Sequence, residues 1–212
     1  MTVTIEAPST RRPLRTAVFL PALGLIVAAA TQIDAVITTN AFRSFSPAPA
    51  DSLNFPWYGG LAGEISTWWS FSALFVAIGF GAFARSSALR HSRLGRNGAW
   101  TATAAVGLIA VADFLSAANA DALTSDGTAK AIMGLFAAAT IVMGVGLTAA
   151  GIVLLRSGAW SGISRFVPIA NGIWPLVMSP LAPTPFLTTA IGVLAALQVA
   201  LGAAMIAQEA TR

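Results

Sequence analysis

The sequence has no cysteine, a single histidine (His91) and a single lysine (Lys130), and only 9% of its residues are charged. Without cysteine there is no disulfide, iron–sulfur ligand, haem thiolate or thiol nucleophile. His91 stands between Arg90 and Arg93, so one chain cannot build a bis-His haem or a His-rich metal centre inside a membrane. Lys130 falls at a helix end, too shallow for a mid-membrane Schiff base. No metal and no cofactor are therefore expected. The shortage of charge excludes more still, because a soluble domain is about a quarter charged. Here 56% of residues are hydrophobic, and water is not the main solvent.

What is present is a set of six apolar stretches with arginine shared unevenly between the gaps. Counted from the N-terminus, alternate gaps hold Arg11, Arg12, Arg15, Arg85, Arg90, Arg93, Arg96, Arg156, Arg165 and Arg212, while the others hold only Arg43 and Lys130. Short basic loops resist translocation and stay in the cytoplasm. The pattern predicts an all-α polytopic transmembrane helix bundle of six spans, with both termini inside, in a bacterial cytoplasmic membrane. The net charge of +4 does not point to nucleic acid, because the arginines are scattered over several loops and form no single basic face. Anionic lipid headgroups are the expected partners of Arg85, Arg90, Arg93 and Arg96. A docking surface for a cytoplasmic partner is the alternative use of that loop.

A span needs about 20 apolar residues to cross about 30 Å of hydrocarbon, which leaves no room for a separate soluble domain in 212 residues. Residues 1–15 read as a disordered cytoplasmic tail, 16–208 as the six-helix domain and 209–212 as a cytoplasmic end. The helices are expected at about 16–39, 60–84, 99–118, 129–155, 166–181 and 186–208. Arg11, Arg12 and Arg15 ahead of an apolar run, with Ala28, Ala29 and Ala30 after it, also match a cleaved signal peptide. The apolar character runs on to Ile37, which favours a full span. Asn97-Gly98 is read as the turn ending the basic loop. Trp57, Trp100 and Trp160 fall at expected interfaces, where amphipathic rings sit. The external stretch at about 40–58 carries five aromatic residues around Pro47 and Pro49, and is expected to lie on the outer surface or to form a lid over a site.

Lipid tails are as apolar as leucine, so membrane helices associate through close backbone approach and polar contacts. Small-residue stripes supply candidate seams: Gly192, Ala196, Ala200 and Ala204; Ala73, Ala77 and Gly81; Thr140, Gly144 and Thr148. They serve packing within the chain, or contact with a second copy or another membrane partner.

Three acids interrupt the apolar runs toward the same external side: Asp34, Glu64 and Asp113. The apolar residues of helix 3 offer roughly 2 to 4 kcal/mol of insertion energy, and one central Asp costs about 2.5 to 3.5. Asp113 should therefore face other helices, protonated, paired or wetted. For Asp34 and Glu64 the structural alternative is contact with headgroup water near a helix end. In helix 5, Pro175 removes the amide that would bond the carbonyl of Asn171, a kink of the kind that builds midplane sites in transporters. Gln198 is a further inward polar candidate.

The stretch Gly151-Ile-Val-Leu-Leu-Arg-Ser-Gly-Ala-Trp, followed by Arg165 and a new apolar helix, resembles the helix–loop–helix junction of uncharacterised bacterial six-helix membrane protein families. That resemblance covers about a quarter of the chain and implies a six-helix fold, with no functional residues. Glu64 is similar in kind to the acid of small membrane-bound terpene cyclases, but the late acid those enzymes use has no counterpart here. Three functions stay open. The first is a small transporter or transport-accessory subunit with an outward-facing vestibule lined by Asp34, Glu64 and Asp113. The second is a structural or partner-binding subunit whose acids are satisfied by Arg43, Lys130 or backbone groups. The third is an intramembrane enzyme using Glu64 or Asp113 as a general acid.

Overall fold

A computed structural model describes residues 16–182 and 184–210. The expected tail at 1–15 and the final Thr211 and Arg212 lie outside the described residues. The architecture is all-helical: α1 (Thr16–Phe42), α2 (Gly59–Ala84), α3 (Arg93–Ala118), α4 (Gly127–Ser157), α5 (Val167–Met178) and α6 (Leu187–Ala210). All of these except α5 are long and apolar enough to span a membrane, which makes this a multi-pass membrane protein in contact with lipid.

Two elements depart from the sequence reading. Helix α3 starts six residues earlier than expected, at Arg93, because Ser92 is an N-cap whose side chain accepts a hydrogen bond from the amide of Gly95 at 3.1 Å. Asn97-Gly98 is consequently inside the helix and makes no turn. The fifth apolar stretch is divided: a 3-10 turn at Gly162–Phe166, twelve residues of α5, and a second 3-10 turn at Ser179–Leu181. Its prolines explain the division. Pro168 lies in the first turn, where its missing amide has no partner to lose, Pro175 is tolerated inside, and Pro180 closes the helix. Helix α4 ends on Gly158 in the left-handed conformation (φ 62°), whose amide bonds back to the carbonyl of Leu154.

Each helix packs against its neighbours in sequence, and α1 against α6 closes the circuit. The α3–α4, α4–α5 and α1–α6 seams are glycine-made. A β-carbon at Gly98 would lie 2.5 Å from the carbonyl oxygen of Gly146, and one at Gly146 2.4 Å from that of Gly98, so α3 and α4 touch backbone to backbone. Gly172 rests on Thr148 and Gly151 on Ile169, joining α5 to α4, while Gly202 meets Ala22 and Ile26 of α1. The expected stripe on α4 therefore serves the α5 contact through Gly144 and Thr148. On α6 the seam runs through Gly192 and Gly202, and Ala196 is exposed. Inside the circuit, Phe80, Phe83, Met143, Leu147, Leu201 and Met205 fill the core.

Backbone contact leaves no room for a side chain. Gly146→Val should destabilise the bundle by about 1–3 kcal/mol, the usual cost of overpacking. Gly107→Ala, at a position with open space around it, should not destabilise it. Unfolding of both variants in detergent checks this; equal stability of the two would contradict the seam.

Candidate functional site

A groove of about 250 Å³ runs between α1 and the N-terminal half of α2. Helix α1 contributes Thr31, Gln32, Asp34, Ala35, Thr38 and Thr39; α2 contributes Ile65, Trp68, Trp69 and Ser72; and Trp57 comes from the segment between them. Three of the six tryptophans thus line it, together with one carboxylate. The volume is several times the roughly 30 Å³ that a water molecule occupies in the liquid. The two helices are tied just below this point, where the Ser72 hydroxyl donates to the carbonyl of Ala28 at 3.0 Å. Above it, Trp57 is held by stacking on Phe42 at the end of α1, with centroids 4.9 Å apart and planes 12° from parallel.

The loop that delivers Trp57 is anchored by Asn54, which sequence reasoning passed over. Asn54 enters between α2 and α3. Its Oδ1 accepts from the hydroxyls of Ser66 (3.1 Å) and Ser116 (2.6 Å), and its Nδ2 donates to the Ser116 carbonyl at 3.2 Å. An antiparallel bridge between Ser52 and Leu123 adds Leu53 N to Ala122 O at 2.8 Å and Thr124 N to Asp51 O at 2.8 Å, joining the α1–α2 loop to the α3–α4 loop. The hydroxyl of Ser46 donates to the carbonyl of Pro56. Arg43 donates to the carbonyl of Pro185 at 3.2 Å and lies over the Phe55 ring, so its guanidinium ties the α1–α2 loop to the α5–α6 loop and, among the described residues, pairs with no acid. An asparagine in a loop gives no periodic signal, so only the tertiary structure shows this clamp.

The three acids do not share the groove. Asp34 lines it and is exposed. Glu64, one turn before Trp68, is exposed on the outward side of α2 and is not part of the lining. Asp113 is half-buried on α3, one turn below the Ser116 hydroxyl that Asn54 holds. Among the described residues none of the three carboxyls has a hydrogen-bond or ion-pair partner. The polar residues of the second half lie elsewhere. Asn171 is fully buried and donates from Nδ2 to the carbonyls of Val167 (3.0 Å) and Leu197 (2.8 Å). It stitches α5 to α6 beside Pro175. Its Oδ1, like Oε1 of the buried Gln198, has no partner.

No family model, no curated protein and no solved structure matches this chain. The chemistry of the groove must speak for itself. Among the described residues no three His, Cys, Asp or Glu side chains gather to hold a metal ion. One carboxylate beside three indoles can instead serve a cation: the acid offers counter-charge, and an indole face turned toward a cation attracts it by about 0.5–2 kcal/mol.

Removing the clamp tests how the groove is held. Asn54→Ala strands the buried hydroxyls of Ser66 and Ser116, at a cost of about 1–3 kcal/mol for a lost buried partner. Amide exchange of residues 43–58 should accelerate in this variant while that of α4 to α6 is unchanged. Unaltered exchange in the loop would show that Asn54 does not anchor it.

Proposed function

We propose that this chain is a small six-pass membrane protein of transport or transport-accessory type, with both termini in the cytoplasm, whose ligand site is the groove around Asp34. The observation that carries the reading is the conjunction of Asp34 with Trp57, Trp68 and Trp69 in one cavity between two membrane helices. A carboxylate in an apolar helix costs about 2.5–3.5 kcal/mol near the bilayer centre and less toward its edge, so an intramembrane acid marks function by default. The ligand this set recognises carries an ammonium group. The sixth span is the divided stretch 162–181, whose length suits a crossing once its 3-10 turns are counted with α5. The orientation rests on the arginine bias, and the exposed Arg85, Arg90, Arg93 and Arg96 then face anionic headgroups of the inner leaflet. A bacterial cytoplasmic membrane accommodates this arrangement.

Glu64 and Asp113 take lesser parts in this reading. Glu64 stands at the groove's outer approach. Asp113 belongs to the α2–α3 contact beneath the Asn54 clamp.

Two experiments test the proposal. Tetraethylammonium should change the tryptophan fluorescence of the purified protein with a dissociation constant near about 1 mM, the level that about 4 kcal/mol of charge and ring attraction supports. Asp34→Asn should weaken this at least about tenfold, equivalent to about 1.4 kcal/mol. No response, or one indifferent to Asp34, would refute the site. For topology, the cysteine-free chain allows single thiols at two exposed positions. Ser44→Cys should react with an impermeant maleimide added to intact cells and His91→Cys should not; the reverse pattern would invert the orientation.

A further inference from the structure

We propose that the occupant of the Asp34 groove is a membrane lipid with an ammonium headgroup, drawn from the outer leaflet, and not a soluble cation. This rests on the cation-site reading and names the substrate class of that same site.

Three observations carry it. The first is the direction in which the groove opens. Trp68 is 73% exposed, and Asp34, Thr31 and Thr38 are exposed with it, so the groove lies open on the outside of the bundle, where a bilayer would press against it. The second is depth. Asp34 stands eight residues before Phe42, the end of α1, about 12 Å along the axis at 1.5 Å per residue. That places the carboxylate beneath the stacked Phe42–Trp57 pair, and amphipathic rings at the end of a span favour the headgroup level. A soluble cation must pass that pair to reach it, whereas a lipid reaches it sideways.

The third is what continues below the carboxylate. Asp34 falls on one helical stripe with Leu23 and Val27, spaced eleven and seven residues before it, and all three are exposed. On the neighbouring helix Phe75 is exposed and rests 3.8 Å from the β-carbon position of Gly24. An acid above a row of exposed apolar side chains matches an amphiphile head to tail: the ammonium against Asp34 and the indoles, and an acyl chain along Leu23, Val27 and Phe75. The same pairing explains why an acid with no protein partner is tolerated on the outer face of a span, since the ligand supplies the missing counter-charge.

The test uses the full-length protein in nanodiscs of phosphatidylglycerol, doped in turn with phosphatidylethanolamine or phosphatidylglycerol bearing a spin label high on the acyl chain. The labelled ethanolamine lipid should quench tryptophan fluorescence at about tenfold lower concentration than the labelled glycerol lipid. The preference should vanish in Asp34→Asn and in Trp68→Ala. Both positions are exposed, and circular dichroism verifies that each variant keeps its helices. Equal quenching by the two lipids, with tetraethylammonium binding still dependent on Asp34, would overturn the lipid assignment and leave the cation site standing. Loss of Asp34 dependence in both assays would overturn the two together.

Discussion

Everything in this structure depends on backbone approaching backbone. In a bilayer, burying leucine against leucine gains little over burying it in lipid, so helices must come close enough for dispersion and polar contacts to hold them. The pair Gly98 and Gly146 does this for α3 and α4, and Gly172 against Thr148 does it for α4 and α5. With the backbones drawn together there, the larger side chains Phe80, Phe83, Met143 and Leu147 are forced into one central core. The order of packing, each helix beside its sequence neighbour, then follows from short loops.

The α1–α2 contact closes over only part of its length, and the groove lies where it opens. Below Ser72 the two helices are close: Gly79 lies against Leu25, and the Ser72 hydroxyl meets the Ala28 carbonyl. Above it the facing residues are Thr31, Gln32, Ala35, Thr38, Trp68 and Trp69, with no glycine among them. The indoles of Trp68 and Trp69 stand at this opening, where small residues would allow a close approach. Asp34 stands at the edge of that opening with no partner among the described residues, whereas Asp126, in the α3–α4 loop, accepts from the backbone amide of Leu123 at 2.9 Å.

Helix number and order were legible because length and hydropathy in a bilayer are one-dimensional quantities, and polar segments separate the apolar stretches. Local chemistry misled at two places. Asn97-Gly98 carries a turn signature, yet the Ser92 cap upstream starts the helix first, and once a helix is nucleated an Asn-Gly pair can be carried within it. Three prolines in the fifth stretch divide it into two 3-10 turns around a short α-helix, which hydropathy alone does not register. The facing of Asp34, Glu64 and Asp113 was not legible, because nearly uniform apolar helices carry no amphipathic stripe from which to read an azimuth. The tryptophans were the better signal, since Trp68-Trp69 stand one turn from Glu64 and lean toward Asp34's helix.

An electron-microscopy map of the protein in phosphatidylethanolamine-containing nanodiscs tests the central claim most directly. The account predicts headgroup density between the Asp34 carboxylate and the indoles of Trp57 and Trp68, with a chain descending along Val27 and Leu23. A groove collapsed by closure of α1 on α2, or Asp34 engaged by a basic side chain of the protein itself, would contradict it.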